Sequence, residues 1–427
     1  MEERFTAENG IELFTYRNEQ QHGFFVSLFL RAGSMYEAED ERGITHFLEH
    51  VLVRNVNKLK DGKLYATLDE YGVEFNASTY SEMVQFYIAG ATKNFFVATD
   101  IVRTLLSPLA LTAGEIDTER RRIKAEIRES DDKNSLATFA SSSVHENTSL
   151  AGSILGTNKS VDKITATRLE RYRRRAFIKD NIFLYVTGNF TDGDVRSLLD
   201  AVGEFMPDEP TSDADVHRNM APVSRNFAKR DASVCVKNAD YTVVRFSFDM
   251  NMYDCSTHVV DLIYDMLLTG FSSPFFIEMS EERGLFYDIN GAVERYNNIG
   301  IFYFNYEVKE KNLYDAVAQS VKILNSFRNT VYPENKCMKA AYVDNAYMLL
   351  DDLRDFNFTF AYDNHIMSVG YSSVEERRRL YESVTPEEIR RVACKIFTPD
   401  NLTLSVKGNK KKIDADRLRE IIKELGE

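Results

Sequence analysis

An internal repeat constrains the fold of this chain more than any other feature of its sequence. Residues 180–189 (DNIFLYVTGN) match residues 400–409 (DNLTLSVKGN) at an offset of 220 residues. Both segments read as a turn that leads into a short apolar strand, and a helical pattern opened by threonine precedes each of them. We therefore predict an α+β protein made of two homologous α/β-sandwich modules, residues 1–220 and 230–427.

The composition is that of a globular protein and excludes several classes of function. An excess of 66 Asp+Glu over 53 Lys+Arg argues against a nucleic-acid partner. Four cysteines without C-x-x-C spacing predict buried, reduced thiols and no cysteine metal site. No stretch approaches the ~20 apolar residues of a membrane span, and residues 1–10 lack the features of a signal peptide. We therefore expect no membrane span and a cytoplasmic location.

The segment 43–52 (GITHFLEHVL) carries the residues best suited to catalysis. Its apolar residues recur at the spacing of one amphipathic helix. His46, Glu49 and His50 then share the face opposite the apolar stripe. Histidines four residues apart can place two ring nitrogens on one Zn²⁺, and the glutamate can reach a water at the open coordination position. This order of residues is the inverted zinc motif H-x-x-E-H.

A catalytic zinc needs a third protein ligand, and a second helical segment offers two candidates. In 115–129 (EIDTERRRIKAEIRE), Glu119 and Glu126 are separated by two helical turns and lie on nearly the same face. Glutamates at this spacing are also common on solvated helices, and histidines often sit on polar helix faces. The pattern alone leaves a purely structural interpretation open.

These residues resemble a known family of inverted-motif zinc peptidases, which includes pitrilysin, insulin-degrading enzyme and mitochondrial processing peptidase. The resemblance covers nearly the whole chain and rests on spacing as well as residue type. In the family, the position of Glu126 holds the third zinc ligand, and the position of Glu119 holds an accompanying glutamate. The other matching segments are 33–37 (GSMYE), 43–50 (GITHFLEH), 75–79 (FNAST), 152–157 (GSILGT) and 180–188 (DNIFLYVTG).

The resemblance implies a fold, a cofactor and a set of functional residues. The two modules would form a clamshell around a chamber that admits unfolded peptides. Asn76 and Ala77 would lie on an edge strand beside the metal, where a substrate peptide can add through main-chain hydrogen bonds. One Zn²⁺ per chain is implied, with these residues at the site: His46, His50 and Glu126 as ligands, Glu49 activating the attacking water, and Glu119 orienting the site.

The second half of the chain has no second zinc motif. The residues 220 positions after His46, Glu49 and His50 are Met266, Thr269 and Gly270. Here the family has a helix with an arginine, followed by a tyrosine, and the two stabilise the tetrahedral intermediate. Tyr287 matches that tyrosine, but Ser280 occupies the arginine position. Arg283 resembles instead the arginine with which this helix ends in the family.

The missing arginine predicts a partner. A donor to the developing oxyanion contributes about 3 kcal/mol, so the lone chain should be weakly active. In the processing-peptidase branch, the zinc subunit works with a homologous non-zinc subunit, which implies a heterodimer whose partner supplies an Arg/Tyr pair.

The resulting hypothesis is a zinc metalloendopeptidase that hydrolyses unfolded peptides, such as a precursor or a bacteriocin-type leader. One alternative is a non-catalytic structural subunit of a complex that shares the fold. Another is a zinc hydrolase that acts on substrates other than peptides. The intact set of ligands favours the peptidase over the structural subunit, and an edge strand beside the metal favours peptides as substrates.

Overall fold

The structure is a computed structural model that describes residues 1–130, 135–223 and 230–426. The strands are Glu3–Thr6 (β1), Glu12–Arg17 (β2), Gly23–Leu30 (β3), Glu74–Thr79 (β4), Val84–Ala91 (β5), Ile182–Gly188 (β6), Ser233–Asn238 (β7), Val243–Asn251 (β8), Ile289–Arg295 (β9), Ile299–Glu307 (β10) and Leu402–Gly408 (β11). The α-helices are Ile44–Leu59 (α1), Leu64–Tyr71 (α2), Phe95–Leu106 (α3), Ala113–Glu129 (α4), Leu136–Val144 (α5), Asn158–Lys163 (α6), Ala166–Ala176 (α7), Asp192–Gly203 (α8), Thr257–Leu268 (α9), Leu313–Asn329 (α10), Ala340–Val343 (α11), Leu353–Ala361 (α12), Val374–Glu382 (α13), Pro386–Ile396 (α14) and Ala415–Lys423 (α15).

The strands form two mixed sheets with the same topology. The first has the order β1-β2-β6-β3-β5-β4 and the second the order β7-β11-β8-β10-β9. Each contains one parallel pair, β2 with β6 and β7 with β11, and the other pairs are antiparallel. Apart from β1, the two orders coincide strand by strand. The prediction of two homologous α/β modules is therefore confirmed.

The sequence repeat corresponds to a repeated helix and strand. The helices α7 and α14 begin 220 residues apart, and so do the strands β6 and β11, all of whose residues are buried. Thr165 and Thr385 cap the two helices, since each side chain accepts a hydrogen bond from the backbone N–H three residues later. The local sequence thus fixes where each helix begins, and the apolar strand that follows is central in its sheet.

Each compact unit includes a segment from the other half of the chain. The first unit comprises Met1–Asp131, Gly152–Asn219 and Tyr347–Val374, and the second comprises Asp132–Ala151, Met220–Ala346 and Glu375–Glu427. The helix α12 thus belongs with the first sheet and α5 with the second. The units extend beyond the contiguous bounds 1–220 and 230–427, which remain a prediction for the limits of the modules themselves.

The helix α12 covers the face of the first sheet that the other helices leave open. One face of β3 packs into a core with α1 and α3, through Phe24, Val26 and Leu28. On the other face, Ser27 donates a hydrogen bond of 2.6 Å to Asn357 of α12, whose amide in turn donates to backbone carbonyls of β3 and β6. This second layer explains why a strand without polar alternation is buried on both faces.

Two expectations from composition can be compared with the described residues. No helix among them combines the length and the apolar character that crossing a bilayer requires. All four cysteines are free, and Cys255 and Cys337 are buried. Cys235 and Cys394 are only half-buried, so the prediction that all four would be buried is wrong for these two.

Candidate metal centre

A buried carboxylate fixes the start of α1, the helix that carries the H-x-x-E-H motif. The two oxygens of Glu37 accept the backbone N–H groups of Gly43 and Thr45, each at 2.9 Å. Gly43 has φ +87°, and a Cβ there would lie 2.7 Å from the carbonyl oxygen of Leu155. The Thr45 hydroxyl lies 2.6 Å from the Tyr172 hydroxyl of α7. The first turn of α1 is thus held from several sides, which gives the motif a defined position.

Three side chains from α1 and α4 converge as a metal-binding group. His46 Nε2 lies 3.6 Å from Glu126 Oε1, and His50 Nε2 lies 3.5 Å from Glu126 Oε2. Within the described ranges, His46, His50 and Glu126 are the one group of three potential ligands whose atoms all lie within 4.8 Å of one another. Tetrahedral zinc ligands at about 2.0–2.1 Å from the metal are about 3.3 Å apart. The arrangement therefore fits a zinc ion.

The helix α4 carries Glu119 and Glu126 beside its apolar stripe, so the side that packs in the first unit also brings the two glutamates toward α1. Ile116, Ile123 and Ile127 form that stripe, and all three are buried. Glu119 and Glu126 then face α1, and the structure brings both toward the two histidines. Of these two candidates, Glu126 lies in the group of potential ligands and Glu119 lies on the far side of His50.

The charge state of His46 suits metal binding. Burial, together with the neighbouring His50, lowers its pKa to about 3, so the imidazole is neutral near pH 7. Neutral imidazole is the form that binds a metal. The Nδ1 atom of His46 is buried and has no hydrogen-bond partner among the described residues. A neutral, desolvated ring with Nε2 toward Glu126 fits the chemistry of a zinc ligand.

Glu119 supports His50 from behind. One of its oxygens lies 3.6 Å from His50 Nδ1, and the other accepts hydrogen bonds from Arg54 at 2.6 Å and Arg122 at 3.1 Å. Burial opposes ionisation of Glu119, but His50 and these guanidinium groups outweigh it and lower the pKa of the carboxyl. Burial would likewise lower the pKa of His50, yet Glu119 and nearby Glu49 raise it. A carboxylate behind a ligating histidine is a typical orienting arrangement.

Glu49 lies beside the group and is tied to the sheet edge. The hydroxyl of Thr79, at the end of β4, donates a hydrogen bond of 2.9 Å to Glu49 Oε2. Burial raises the pKa of the Glu49 carboxyl, although His50 and Thr79 both favour its ionised form. A carboxyl whose pKa moves up toward neutrality is suited to accept and return a proton near pH 7.

Two partners of the site were missed by the sequence analysis. Arg54 follows His50 by four residues on the same helix, so its place on the same face was a usable signal. Thr79 could not be assigned, because its contact with Glu49 depends on how β4 packs against α1. Both residues act on the site through a carboxylate that the sequence did identify.

Asn76 and Ala77 lie on β4, which pairs with β5 and is one of the two edge strands of the first sheet. Asn76 is exposed, and its side-chain oxygen accepts the backbone N–H of Ala77 at 2.8 Å. That N–H is therefore held by a surface side chain that an added strand could displace. The edge is adjacent to Glu49 through Thr79, so an added strand would pass near the metal-binding group.

Tyr287, Ser280 and Arg283 lie in the second unit. Tyr287 is 96% exposed. Ser280 lies in a π-helical segment, Phe276–Glu281, and its hydroxyl donates to the carbonyl oxygen of Phe286 at 3.2 Å. Arg283 follows that segment and donates to both carboxylate oxygens of Asp315, at 3.0 and 3.1 Å. Its guanidinium is thus engaged, as expected for a helix-end arginine.

The helix of the second unit that follows β8 is α9, which begins earlier than the 220-residue offset suggests. The connection from β8 to α9 is shorter than the one from β3 to α1. Met266 therefore lies near the end of α9, while Thr269 and Gly270 follow it. The comparison of these three residues with His46, Glu49 and His50 was wrong in register, because a shortened loop breaks a constant offset.

Comparisons with known proteins identify the class of fold and then the family. A protease from Helicobacter pylori superimposes with a TM-score of 0.82 at 16% identity, covering 95% of this chain and 99% of that one. The periplasmic protease PqqL from Escherichia coli gives 0.80 at 16% identity, covering 100% of this chain but 50% of that one. The model described as Insulinase (Peptidase family M16) matches residues 13–158, and that of the Peptidase M16 inactive domain matches residues 163–338. Together they cover most of the chain, which belongs to peptidase family M16.

Curated relatives include proteins of two kinds. An uncharacterized zinc protease of Rickettsia felis is 25% identical over 312 residues, covering 71% of this chain and 73% of that protein. Subunit 1 of the mitochondrial cytochrome b-c1 complex of Caenorhabditis elegans is 27% identical over 197 residues, covering 46% of this chain and 41% of that protein. The relatives thus include proteins named as zinc proteases and a named subunit of the cytochrome b-c1 complex.

Proposed function

We propose that this chain is a zinc metalloendopeptidase that hydrolyses bonds in unfolded peptides. One observation carries the proposal: His46 and His50 of α1 converge with Glu126 of α4, and Glu49 lies beside them on α1. The chemistry of these donors, two imidazoles and one carboxylate, is that of a catalytic zinc site with one position left open.

The residues of the chain divide the work of catalysis. Bound zinc supplies Lewis-acid polarisation of a carbonyl oxygen and makes water acidic enough to ionise near neutral pH. Glu49 takes the proton from the attacking water and returns it to the leaving amine. Thr79 positions Glu49 through its hydroxyl. Glu119 holds His50 in the orientation that a metal requires.

A peptide substrate would bind along β4. Its backbone would pair with the outer edge of this strand near Asn76 and Ala77, which favours extended, unfolded chains over folded proteins. A precursor peptide or a bacteriocin-type leader fits this requirement. The ester or amide substrates of a general hydrolase would gain nothing from the strand edge, so cleavage of small esters at rates equal to peptides would argue for that alternative.

We assign the chain to the metal-bearing half of a heterodimer. The position that would hold the oxyanion arginine is Ser280, and Arg283 is bound to Asp315. Tyr287 alone would contribute to stabilising the intermediate. A homologous subunit without zinc would then supply an Arg/Tyr pair, and such pairing suits a family in which a longer protein, PqqL, is matched by this chain over half its length.

The test of the proposed activity compares zinc content and hydrolysis of a mixed peptide library for the purified chain and its Glu49→Gln variant. We expect both proteins to bind zinc, and the variant to lose hydrolysis by roughly 10²–10⁴-fold. Glu129→Gln is the matched control, because Glu129 is exposed at the end of α4. Equal hydrolysis by Glu49→Gln and the unchanged protein would refute the proposal.

The test of the proposed partner restores the arginine. Ser280→Arg should raise the weak activity of the lone chain about tenfold or more, since one oxyanion donor is worth about 10²–10³-fold at best. Glu282→Arg places an arginine two residues away at an exposed position and should not raise the activity. Rapid hydrolysis by the unchanged single chain, not increased by any homologous subunit, would remove the need for a partner.

The second candidate function is a non-catalytic subunit of a larger complex. The relationship to cytochrome b-c1 complex subunit 1 favours it. A protein with this role would bind no zinc and hydrolyse no peptide, alone or with homologues. The intact group of ligands makes the peptidase the better supported of the two functions.

A further inference from the structure

The edge strand β4 presents alternate side chains to two different helices of the first unit. Phe75 and Ala77 pack against the core that includes α1, and Thr79 of the same face reaches Glu49. On the other face, Glu74 accepts hydrogen bonds from Arg354 of α12 at 2.8 and 2.9 Å. Such alternation follows from the period of two in a strand.

Three aromatic side chains lie next to one another on this second face, one directly after β4 and two from the α12 region. Tyr80 directly follows β4, and its ring centroid lies 5.7 Å from that of Phe358 on α12. Phe358 stacks on Tyr362 at 5.6 Å with an interplanar angle of 10°. Phe358 and Tyr362 are four residues apart and therefore share one side of the helix. All three aromatic side chains remain partly exposed, so they form an apolar surface that solvent can reach.

We propose that Tyr80, Phe358 and Tyr362 form a specificity subsite that receives a large apolar or aromatic side chain of the peptide substrate. The inference rests on the proposed function, because it assumes that the peptide adds to β4. A peptide in that position alternates its own side chains between the α1 face and the α12 face. Every second residue of the substrate then faces the side of the sheet on which α12 lies, and the one nearest Tyr80 meets the aromatic group.

The subsite lies close to the reacting bond. Tyr80 is the neighbour of Thr79, whose hydroxyl binds the proposed base Glu49. Since a strand advances about 3.3 Å per residue, the side chain received by the subsite belongs to a residue within about two positions of the cleaved bond. The aromatic surface thus selects for an apolar residue near that bond, and the Glu74–Arg354 pair lies further along β4.

The experiment measures kcat/KM for peptides that carry Phe or Ala at each of the two positions on either side of the cleaved bond. The enzyme is used with its partner subunit if the lone chain is weak. For the unchanged protein we expect a preference for Phe of about tenfold or more at one position on the α12 face. Phe358→Ala should abolish that preference while cleavage of the Ala peptide persists, and Phe358→Leu should keep part of it.

Because each preference is a ratio within one preparation, it does not depend on how much of a variant folds. Tyr65→Ala, which removes an exposed aromatic side chain on α2, is the control and should leave every ratio unchanged. Identical Phe/Ala ratios at every position for the unchanged protein and Phe358→Ala, with active cleavage, would overturn the subsite alone. Absence of cleavage of every peptide, with and without a partner, would overturn the proposed function and the subsite with it.

Discussion

The helices α1 and α9 follow equivalent strands of two sheets with the same order, yet of the two only α1 carries candidate metal ligands. The third, sixth and seventh residues of α1 are His46, Glu49 and His50. The corresponding residues of α9 are Val259, Leu262 and Ile263, and all three are buried in the core of the second unit. One helix therefore offers a reactive face, whereas the other uses the same positions for packing.

The two units also differ in the segment that corresponds to α4, the helix that carries the third candidate ligand. In the first unit, α3 is followed by α4, a 17-residue helix that presents Glu119 and Glu126. In the second unit, α10 is followed by the short helical segments Glu334–Lys336 and Ala340–Val343. The comparison shows that the sheet order sets the scaffold, while two helices of one unit alone supply the candidate ligands.

The largest effect should come from removing a ligand. His50→Ala should lose zinc and reduce peptide hydrolysis by at least about 10³-fold, because the Lewis acid is lost. His258→Ala, on the corresponding helix α9, should keep both zinc and activity. Zinc content by mass spectrometry and initial rates would check this. Loss of zinc in the His258 variant would break the distinction between the two helices.

The start of α1 is held by the Glu37 side chain, whereas Ser256, the capping residue of α9, makes no side-chain hydrogen bond to its helix. A variant of Glu37 therefore tests how α1 is held. Burial raises the pKa of Glu37 to about 7, above its unfolded value, so folding favours the protonated form. This stabilisation is full below the unfolded pKa and is lost as pH rises through about 7. As the pH rises from 4 to 8, the unchanged protein should therefore lose about 3 kcal/mol of unfolding free energy relative to Glu37→Gln.

Urea unfolding at a series of pH values measures this shift. Glu39→Gln, at an exposed neighbouring position, is the control and should show no such trend. A difference between Glu37→Gln and the unchanged protein that stays constant with pH would show that the Glu37 carboxyl is not held as described.

Glu119 should affect zinc affinity by a smaller amount. Glu119→Gln removes the carboxylate behind His50 and should weaken zinc binding by about 10–100-fold, as measured by competition with a chelator. Asp117→Asn changes an exposed acid on the same helix and should leave the affinity as it is. Unaltered affinity in Glu119→Gln would reduce the role of α4 to the single ligand Glu126.

Thr79 should have the smallest effect. Thr79→Val removes the hydrogen bond to Glu49 and should lower kcat/KM by about tenfold. The pKa of Glu49 should also rise, because Thr79 favours its ionised form. The acidic limb of the kcat/KM profile should then move to higher pH, and Thr79→Ser should restore the original profile. A parallel loss at all pH values would indicate that Thr79 serves only the structure of β4.

Much of this organisation could be predicted from local sequence. The repeat defined equivalent helices and strands, because a capping threonine and an apolar run fix an element wherever they occur. The spacing within H-x-x-E-H likewise placed His46 and His50 on one helix face. Helical geometry thus identified His46 and His50 as a pair, whereas Glu126 as the third candidate ligand was implied by the resemblance to the family.

Contacts between distant segments could not be predicted. The location of α12 on the first sheet depends on Asn357 meeting Ser27, which are far apart in the chain. The contact of Thr79 with Glu49 depends on the packing of a strand against a helix. The register of α9 was misjudged because loop lengths carry no fixed period. Long-range packing decides such features, and no periodic pattern in the sequence encodes them.

The most direct test is an anomalous difference map at the zinc absorption edge from crystals grown with zinc. One peak per chain is expected, about 2.0–2.2 Å from a ring nitrogen of His46, a ring nitrogen of His50 and a carboxylate oxygen of Glu126. A map without a peak at these residues, or with its peak in the second unit, would contradict the assignment of the metal to α1 and α4.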